Sequence, residues 1–234
     1  RPKNSCLVNN YYYIIGGLPE LAPGGDNNMF NYAAVREEIW KQCSPEDQKL
    51  IEFLEKGFDE ESLTKDFYAK AQESHCLFIK RYFRLDRTIR NIKVTFLAGR
   101  LFNGNETDNK ELIRKYSVVL PSDHEAGFNE KDGAAVTLDN SETQNIDAIF
   151  QTSDILEKER KMDEFKWTKI NEFTSFDFFD IDVILAFLVK GKLVERWNKL
   201  DRETGKALFK KLVDEVRGTF KGVEFNAGTT KKVV

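Results

Sequence analysis

Apolar residues recur every three or four positions along most of this chain, which is the pattern of helices that bury one face. Clear stripes begin at Tyr32, Leu50 and Phe67, and the third continues without Gly or Pro to residue 98. Ser44 stands before a proline, a pair that favours the start of a helix because serine caps free backbone amides. The pattern therefore predicts an all-α protein, an elongated bundle of long amphipathic helices.

The longest uninterrupted apolar run is Val183–Val189. A helix that is apolar on every side has to be covered by other elements on every side. The run is too short for a bilayer, which takes roughly 20 residues to cross. Asp180 precedes it and is placed to cap its first turn. We expect the rest of the chain to pack around this helix, with a core that includes Trp167, Ile184, Leu185, Phe187 and Leu188.

Two other stretches depart from the helical pattern. Tyr11–Ile15 is aromatic and β-branched and is followed by glycines, which predicts a short N-terminal extended segment. Asn103–Asn145 is rich in Asn, Asp, Gly, Ser and Glu, which predicts a polar connecting segment. It would separate an N-terminal helical half, residues 1–102, from a C-terminal half, residues 146–234, unless the chain is a single domain. A final helix is predicted after Asp201.

Composition narrows the class of protein only a little. The 234 residues carry a formal net charge of -3, so no general basic surface is available for nucleic acid. The three cysteines are odd in number and widely spaced, which favours reduced thiols in a cytosolic protein. The first five residues lack the apolar stretch of a secretory signal.

No set of residues predicts a catalytic, cofactor-binding or metal site. His75 and Cys76 are neighbours on a helix and point about 100° apart, so they cannot chelate one ion together, and we expect His75 to lie in the core. Asp177, Asp180 and Asp182 could hold a metal, but their place before a helix favours contacts to its free amides. No phosphate-binding loop is present.

Glu195, Arg196 and Trp197 form the most distinctive polar group. A planar guanidinium beside a carboxylate and an indole is common at protein interfaces. The same three side chains are equally suited to an ion pair within the fold that ties their helix to the next. The sequence leaves both interpretations open.

The chain resembles one bacterial family of uncharacterised proteins. The resemblance rests on the N-terminal run Tyr11–Leu21 and on a longer set in the last third of the chain: Glu157–Asp163, Lys166, Trp167, Glu172, Thr174, Phe179, Ile184–Leu188, Glu195–Trp197, Leu200, Asp201, Gly205 and Phe209. The genes of that family accompany those of vacuolar-type (A/V-type) ATPases. The family is similar to the C-type component of these ATPases, called d in eukaryotes, which is the all-helical socket between the central rotor shaft and the membrane ring.

The resemblance implies a non-catalytic structural or accessory subunit of a vacuolar-type ATPase. Such a subunit would be a helical adaptor between the soluble rotor shaft and the proteolipid ring. Its partners would be other ATPase subunits, and it would be cytoplasmic and peripheral to the inner membrane, without a cofactor. The alternatives are a free-standing cytosolic helical enzyme and a helical scaffold for another partner.

Overall fold

The structure, a computed structural model, describes residues 11–24, 29–101, 106–120 and 140–199. Within these ranges every regular element is a helix, so the predicted all-α class is confirmed. The helix predicted after Asp201 lies outside the described residues, and so does most of the polar segment.

The helices follow one another with short connections. In chain order they are α1 (Tyr12–Gly17), α2 (Tyr32–Gln42), α3 (Pro45–Lys56), α4 (Lys65–Glu73), α5 (Leu77–Leu101), α6 (Glu106–Tyr116), α7 (Asn140–Gln151), α8 (Ile155–Phe173) and α9 (Ile181–Lys199). A short 3-10 helix, Glu60–Ser62, lies between α3 and α4.

The N-terminal segment is helical, so the extended segment predicted there was wrong. Tyr11 is buried, and its amide donates to the carbonyl of Phe179 at 2.8 Å. Its hydroxyl donates to the Asp47 carboxylate and accepts from the Ser44 amide. Aromatic and β-branched residues favour strands only weakly. Here contacts to distant parts of the chain fix Tyr11, and the residues after it close into the short helix α1.

Capping residues set the starts of several helices. Ser44 caps α3 as predicted, with its hydroxyl accepting from the Asp47 amide at 3.2 Å. Thr64 accepts from the Phe67 amide at the start of α4, and Asp154 accepts from two amides at the start of α8. Each of these side chains satisfies a donor that the helix itself cannot.

The long central stripe of the sequence divides into α4 and α5 at Ser74–Cys76, and α5 alone has 25 residues. Helix α5 contacts α4, α6, α7, α8 and α9. From Leu85 to Ile92 none of its side chains is exposed. The fold is therefore organised around α5 as much as around the apolar run of α9, which the sequence pattern did not indicate.

Helix α9 contacts α2, α3, α5 and α8. Ile184, Leu185 and Leu188 are buried, and so is Trp167 on α8. Phe187 is only half-buried and packs edge-on against Phe30, with their ring centroids 6.2 Å apart. The apolar run thus has one partly accessible side.

Packing also joins the two predicted halves. An apolar cluster brings Leu85, Ile89 and Ile92 of α5 against α7 and α8. The division into halves at the polar segment stays a prediction, since the described helices on its two sides share this core. None of the helices in the described ranges is both long enough and apolar enough to span a bilayer.

Replacing Leu188 by Ala should lower the free energy of unfolding by about 2–5 kcal/mol, because the change leaves a cavity at a fully buried position. Ile155 is 76% exposed, so Ile155→Ala is the matched control and should change stability by less than about 0.5 kcal/mol. Urea unfolding followed by circular dichroism measures both. Equal losses in the two variants would contradict the packing described for α9.

Candidate interaction site

Glu195, Arg196 and Trp197 lie in the last two turns of α9, but they do not act as one group. Glu195 pairs with two lysines of its own helix, Lys192 at 2.7 Å and Lys199 at 3.1 Å. Its hydrogen bond from Lys192 is the main reason that the pKa of this carboxyl is lowered. Glu195 is therefore not the carboxylate that Arg196 binds.

Arg196 and Trp197 instead meet on one buried carboxylate of α8. The indole Nε1 of Trp197 donates to Oδ2 of Asp163 at 2.7 Å, and the guanidinium of Arg196 donates to the same oxygen. Asp163 is only 7% exposed, whereas about half of the Arg196 side chain reaches solvent near Glu159. Arg196 thus forms an ion pair inside the fold. It ties α9 to the preceding helix rather than to the next one.

A cleft of about 420 Å³ adjoins this pair, between α8, α9 and the turn at Pro23–Gly24. Gly24 has a positive φ of 67°, and a Cβ there would lie 3.0 Å from the guanidinium of Arg160, so this position favours glycine. The lining combines two indoles, three aliphatic side chains and four carboxylates: Trp167, Trp197, Leu156, Leu193, Val194, Asp154, Glu157, Asp163 and Glu164.

All four carboxylates of the cleft already have partners. Asp163 accepts from Arg196 and Trp197, and Asp154 caps α8. Glu164 pairs with Arg160 at 3.2 Å, and Glu157 pairs with Lys161 at 2.8 Å. These groups stabilise α8 and its contact with α9.

A second buried polar network lies at the centre of α5. Asp86 accepts from Lys166 of α8 at 3.1 Å and from the hydroxyl of Tyr68 of α4 at 2.8 Å. Burial alone would raise the pKa of Asp86, but the charge of Lys166 and these hydrogen bonds outweigh it and hold the pKa below its ordinary value of 3.8. Burial likewise disfavours the charged form of Lys166, and Asp86 reverses this, so the pKa of Lys166 is raised.

Five aromatic side chains form an exposed surface at the opposite end of α9. We call this the aromatic surface: Tyr12, Tyr13, Phe176, Phe178 and Phe179. Phe176 is 90% exposed and Tyr13 is 89% exposed. The rings of Tyr12 and Phe179 lie 5.0 Å apart, which brings α1 and the loop between α8 and α9 together. Sequence reasoning missed this surface, although Phe176–Phe179 has the unusual sequence Phe-Asp-Phe-Phe.

The other candidate residues have structural positions. His75 is exposed, so the predicted core histidine was wrong, because it lies in the connection between α4 and α5 rather than on a helix face. Cys76 is buried, and its thiol is 3.1 Å from Asp182. Asp180 accepts from the Val183 amide at 3.4 Å, as a capping residue does. Among the described residues no group of His, Cys, Asp and Glu has the arrangement of a metal site.

Replacing Arg196 by Ala should lower the free energy of unfolding by about 1–3 kcal/mol, because Asp163 would keep its burial and lose its cationic partner. Lys161→Ala is the control, since it breaks an exposed pair within one helix and should cost less than about 1 kcal/mol. Thermal and urea unfolding measure both. An unchanged melting temperature for Arg196→Ala would mean that the pair adds nothing to the fold.

Acid should reveal the ionisation of Asp86. Its folded pKa is below its unfolded pKa, so the unfolded state takes up a proton first, and this stabilisation is present above about pH 4 and lost as the pH falls through the folded pKa. Asp86→Asn should be less stable by about 3–5 kcal/mol at pH 7, and the difference should narrow by pH 3. Urea unfolding at both pH values measures it. A constant difference would show that the pKa of Asp86 does not change on unfolding.

Comparison with known proteins gives one match. No curated protein and no solved structure matches the chain. The model of a family described as "Protein of unknown function (DUF2764)" matches residues 58–219, a range that includes α4 to α9. Because this match covers more than half of the sequence, the chain belongs to the DUF2764 family.

Proposed function

We propose that the protein is a non-catalytic structural or accessory subunit of a vacuolar-type ATPase. In this role it is an elongated helical adaptor between the soluble rotor shaft and the proteolipid ring. It is cytoplasmic and reaches the inner membrane only through the other subunits, which are its partners. It requires no cofactor and binds no nucleic acid.

The observation that carries the adaptor role is the aromatic surface. Contiguous exposed aromatic side chains cost solvation free energy in an isolated protein and commonly mark sites of protein association. Phe176 and Phe178 project from a loop whose two ends are held by α8 and α9. Tyr12 and Tyr13 add a second element to the same surface. A binding surface on a helical scaffold is what an adaptor needs.

The resemblance to proteins encoded with vacuolar-type ATPases supports the identity of the partner. The runs that carry the resemblance include Tyr11–Leu21 and Phe179, and both contribute to the aromatic surface. The same runs include Arg196, Trp197 and Asp163, which hold α8 and α9 together. The resemblance therefore spans both the proposed binding surface and the scaffold beneath it.

The cleft beside Trp167 and Trp197 is the one observation that favours the alternative, a free-standing enzyme. Its volume of about 420 Å³ is in the range of small-molecule sites. A catalytic carboxylate would need a perturbed pKa and access to a substrate. The carboxylates of this cleft are instead engaged in caps and ion pairs, of which Asp163 with Arg196 is the most buried. This favours the adaptor.

Two measurements separate these functions. The native chain, used as bait in detergent-solubilised membranes of its own organism, should retain subunits of the ATPase shaft or ring at stoichiometric levels. Isothermal calorimetry with ATP should show no binding in the micromolar range, because the sequence has no phosphate-binding loop. Micromolar ATP binding without retention of ATPase subunits would exclude the adaptor and support the enzyme. The Ile155→Ala variant, altered away from the aromatic surface, should retain the same subunits as the native chain.

A further inference from the structure

We infer that the aromatic surface receives a basic, amphipathic segment of a partner protein, a helix or strand that carries Lys or Arg beside apolar side chains. This inference deepens the proposed adaptor role and rests on it, because it describes the chemistry of the partner at the same surface. It depends on three observations: the exposure of the aromatic rings, the charge around them, and the way in which the main chain beneath them is held.

Exposure gives the apolar part of the partner. Phe176 is 90% exposed and Phe178 is 67% exposed, although neither residue contributes to the core. Tyr12, Tyr13 and Phe179 surround them with ring contacts at 5.0–5.7 Å between centroids. A partner that covers several such rings must itself present apolar side chains, because apolar area removed from water drives association.

Charge gives the basic part of the partner. The two segments that form the surface, residues 11–24 and 170–189, contain no Lys or Arg. They contain five acidic residues, which are Glu20, Glu172, Asp177, Asp180 and Asp182. Burial and the neighbouring charge of Asp177 raise the pKa of Asp180, so negative charge is already crowded at this end of α9. A cation from a partner would relieve that crowding.

Three cations that border these segments are already engaged within the fold. Arg81 donates to the carbonyl of Phe173, Lys169 pairs with Glu172, and Lys190 donates to the side chain of an asparagine on α8. The aromatic rings add to the attraction for a further cation, because the face of a Phe or Tyr ring is electronegative. Carboxylates and ring faces therefore select the same partner chemistry. Anionic lipid would be repelled by the same carboxylates, which makes a membrane surface the less suitable occupant.

The main chain beneath the rings is held at several points. The Tyr11 amide donates to the Phe179 carbonyl, and Asp182 accepts from the Phe78 amide at 3.2 Å. Asp180 caps α9, and the amide of the residue after Phe176 donates to the carbonyl at position 174, at 3.2 Å. A surface held in this way loses little conformational entropy on binding. It is suited to a specific partner segment.

The test uses three helical peptides that share one apolar face and differ in their polar face, which carries Lys, Gln or Glu. Their binding to the full chain is measured by fluorescence anisotropy at low and at physiological salt. We expect the Lys peptide to bind about tenfold more tightly than the Gln peptide at low salt, and the Glu peptide to bind most weakly. The preference for Lys should decrease as salt is added.

Two double variants separate the apolar and the charged contributions. Phe176→Ser with Phe178→Ser should weaken binding of all three peptides at least tenfold while the melting temperature stays unchanged, because both rings are exposed. Asp177→Asn with Asp180→Asn should remove the preference for Lys, and Asn at position 180 can still cap α9. The control is Ile155→Ser, since Ile155 is 76% exposed and lies about 27 Å from the last residue of α8 along the helix axis. It should bind like the native chain.

Several outcomes would overturn the inference. One is equal binding of the three peptides, and another is unchanged binding by the Phe176→Ser and Phe178→Ser variant. Tighter binding to phosphatidylcholine vesicles than to the Lys peptide would indicate a lipid surface instead. Sedimentation that shows a dimer of the native chain and a monomer of the phenylalanine variant would indicate a second copy.

The same variants distinguish this inference from the proposed function. If the native chain retains ATPase subunits and the phenylalanine variant retains them equally, the function stands and the inference about this surface fails. If the native chain retains none but prefers the Lys peptide through its aromatic surface, the partner is basic and is not the ATPase. Retention of ATPase subunits by the native chain and its loss in the phenylalanine variant supports both.

Discussion

The ion pair between Asp86 and Lys166 is the constraint on which the packing of this protein most depends. It crosses from α5 to α8 with only about a fifth of either side chain exposed. A largely buried charge is stable only when its partner and its hydrogen bonds are in place, and the Tyr68 hydroxyl supplies a further bond from α4. Three helices are thus held in one relative position. A shift of α5 along its axis would leave a charge in the core without its partner.

Other polar residues of α5 fix its remaining neighbours in the same way. Asn91 is buried, and its side-chain amide both donates to the carbonyl and accepts from the amide of Val118, at 3.1 and 2.9 Å. This pair of hydrogen bonds to the main chain holds the segment that follows α6 against α5. Apolar side chains such as Ile89 and Ile92 supply most of the burial. The hydrogen bonds select one arrangement among those that burial alone would permit.

The difference between the sequence-based picture and the structure follows from what hydrophobic periodicity detects. It identified the helices and the cap at Ser44, because these depend on neighbouring residues. It could not identify Asp86 or Lys166 as interior residues, since a charged residue on the inner face of a helix has the same letter as one in solvent. It also placed His75 on a buried stripe, whereas the chain breaks between α4 and α5 at that point. At Tyr11 the deciding contacts come from residues far away in sequence, on α3 and in the loop before α9.

The candidate site shows the same division between local and distant information. Glu195, Arg196 and Trp197 stand out in the sequence as a polar group, but the residue that determines their role, Asp163, lies on another helix. The aromatic surface is the opposite case. Its exposed phenylalanines have the composition of core residues, and only their place in the connection between α8 and α9 leaves them in solvent.

Helix α9 connects these two regions mechanically. Its C-terminal turns are fixed to α8 by Asp163, and its N-terminal turn is fixed to α5 through Asp182, the Cys76 thiol and the Phe78 amide. A helix held at both ends and buried between them along Ile184–Val189 moves as one rigid body with the core. The loop that carries the exposed phenylalanines begins where α8 ends and finishes where α9 starts. A force applied to the aromatic surface would therefore pass directly into the most tightly packed part of the protein, which is the property that a mechanical adaptor requires.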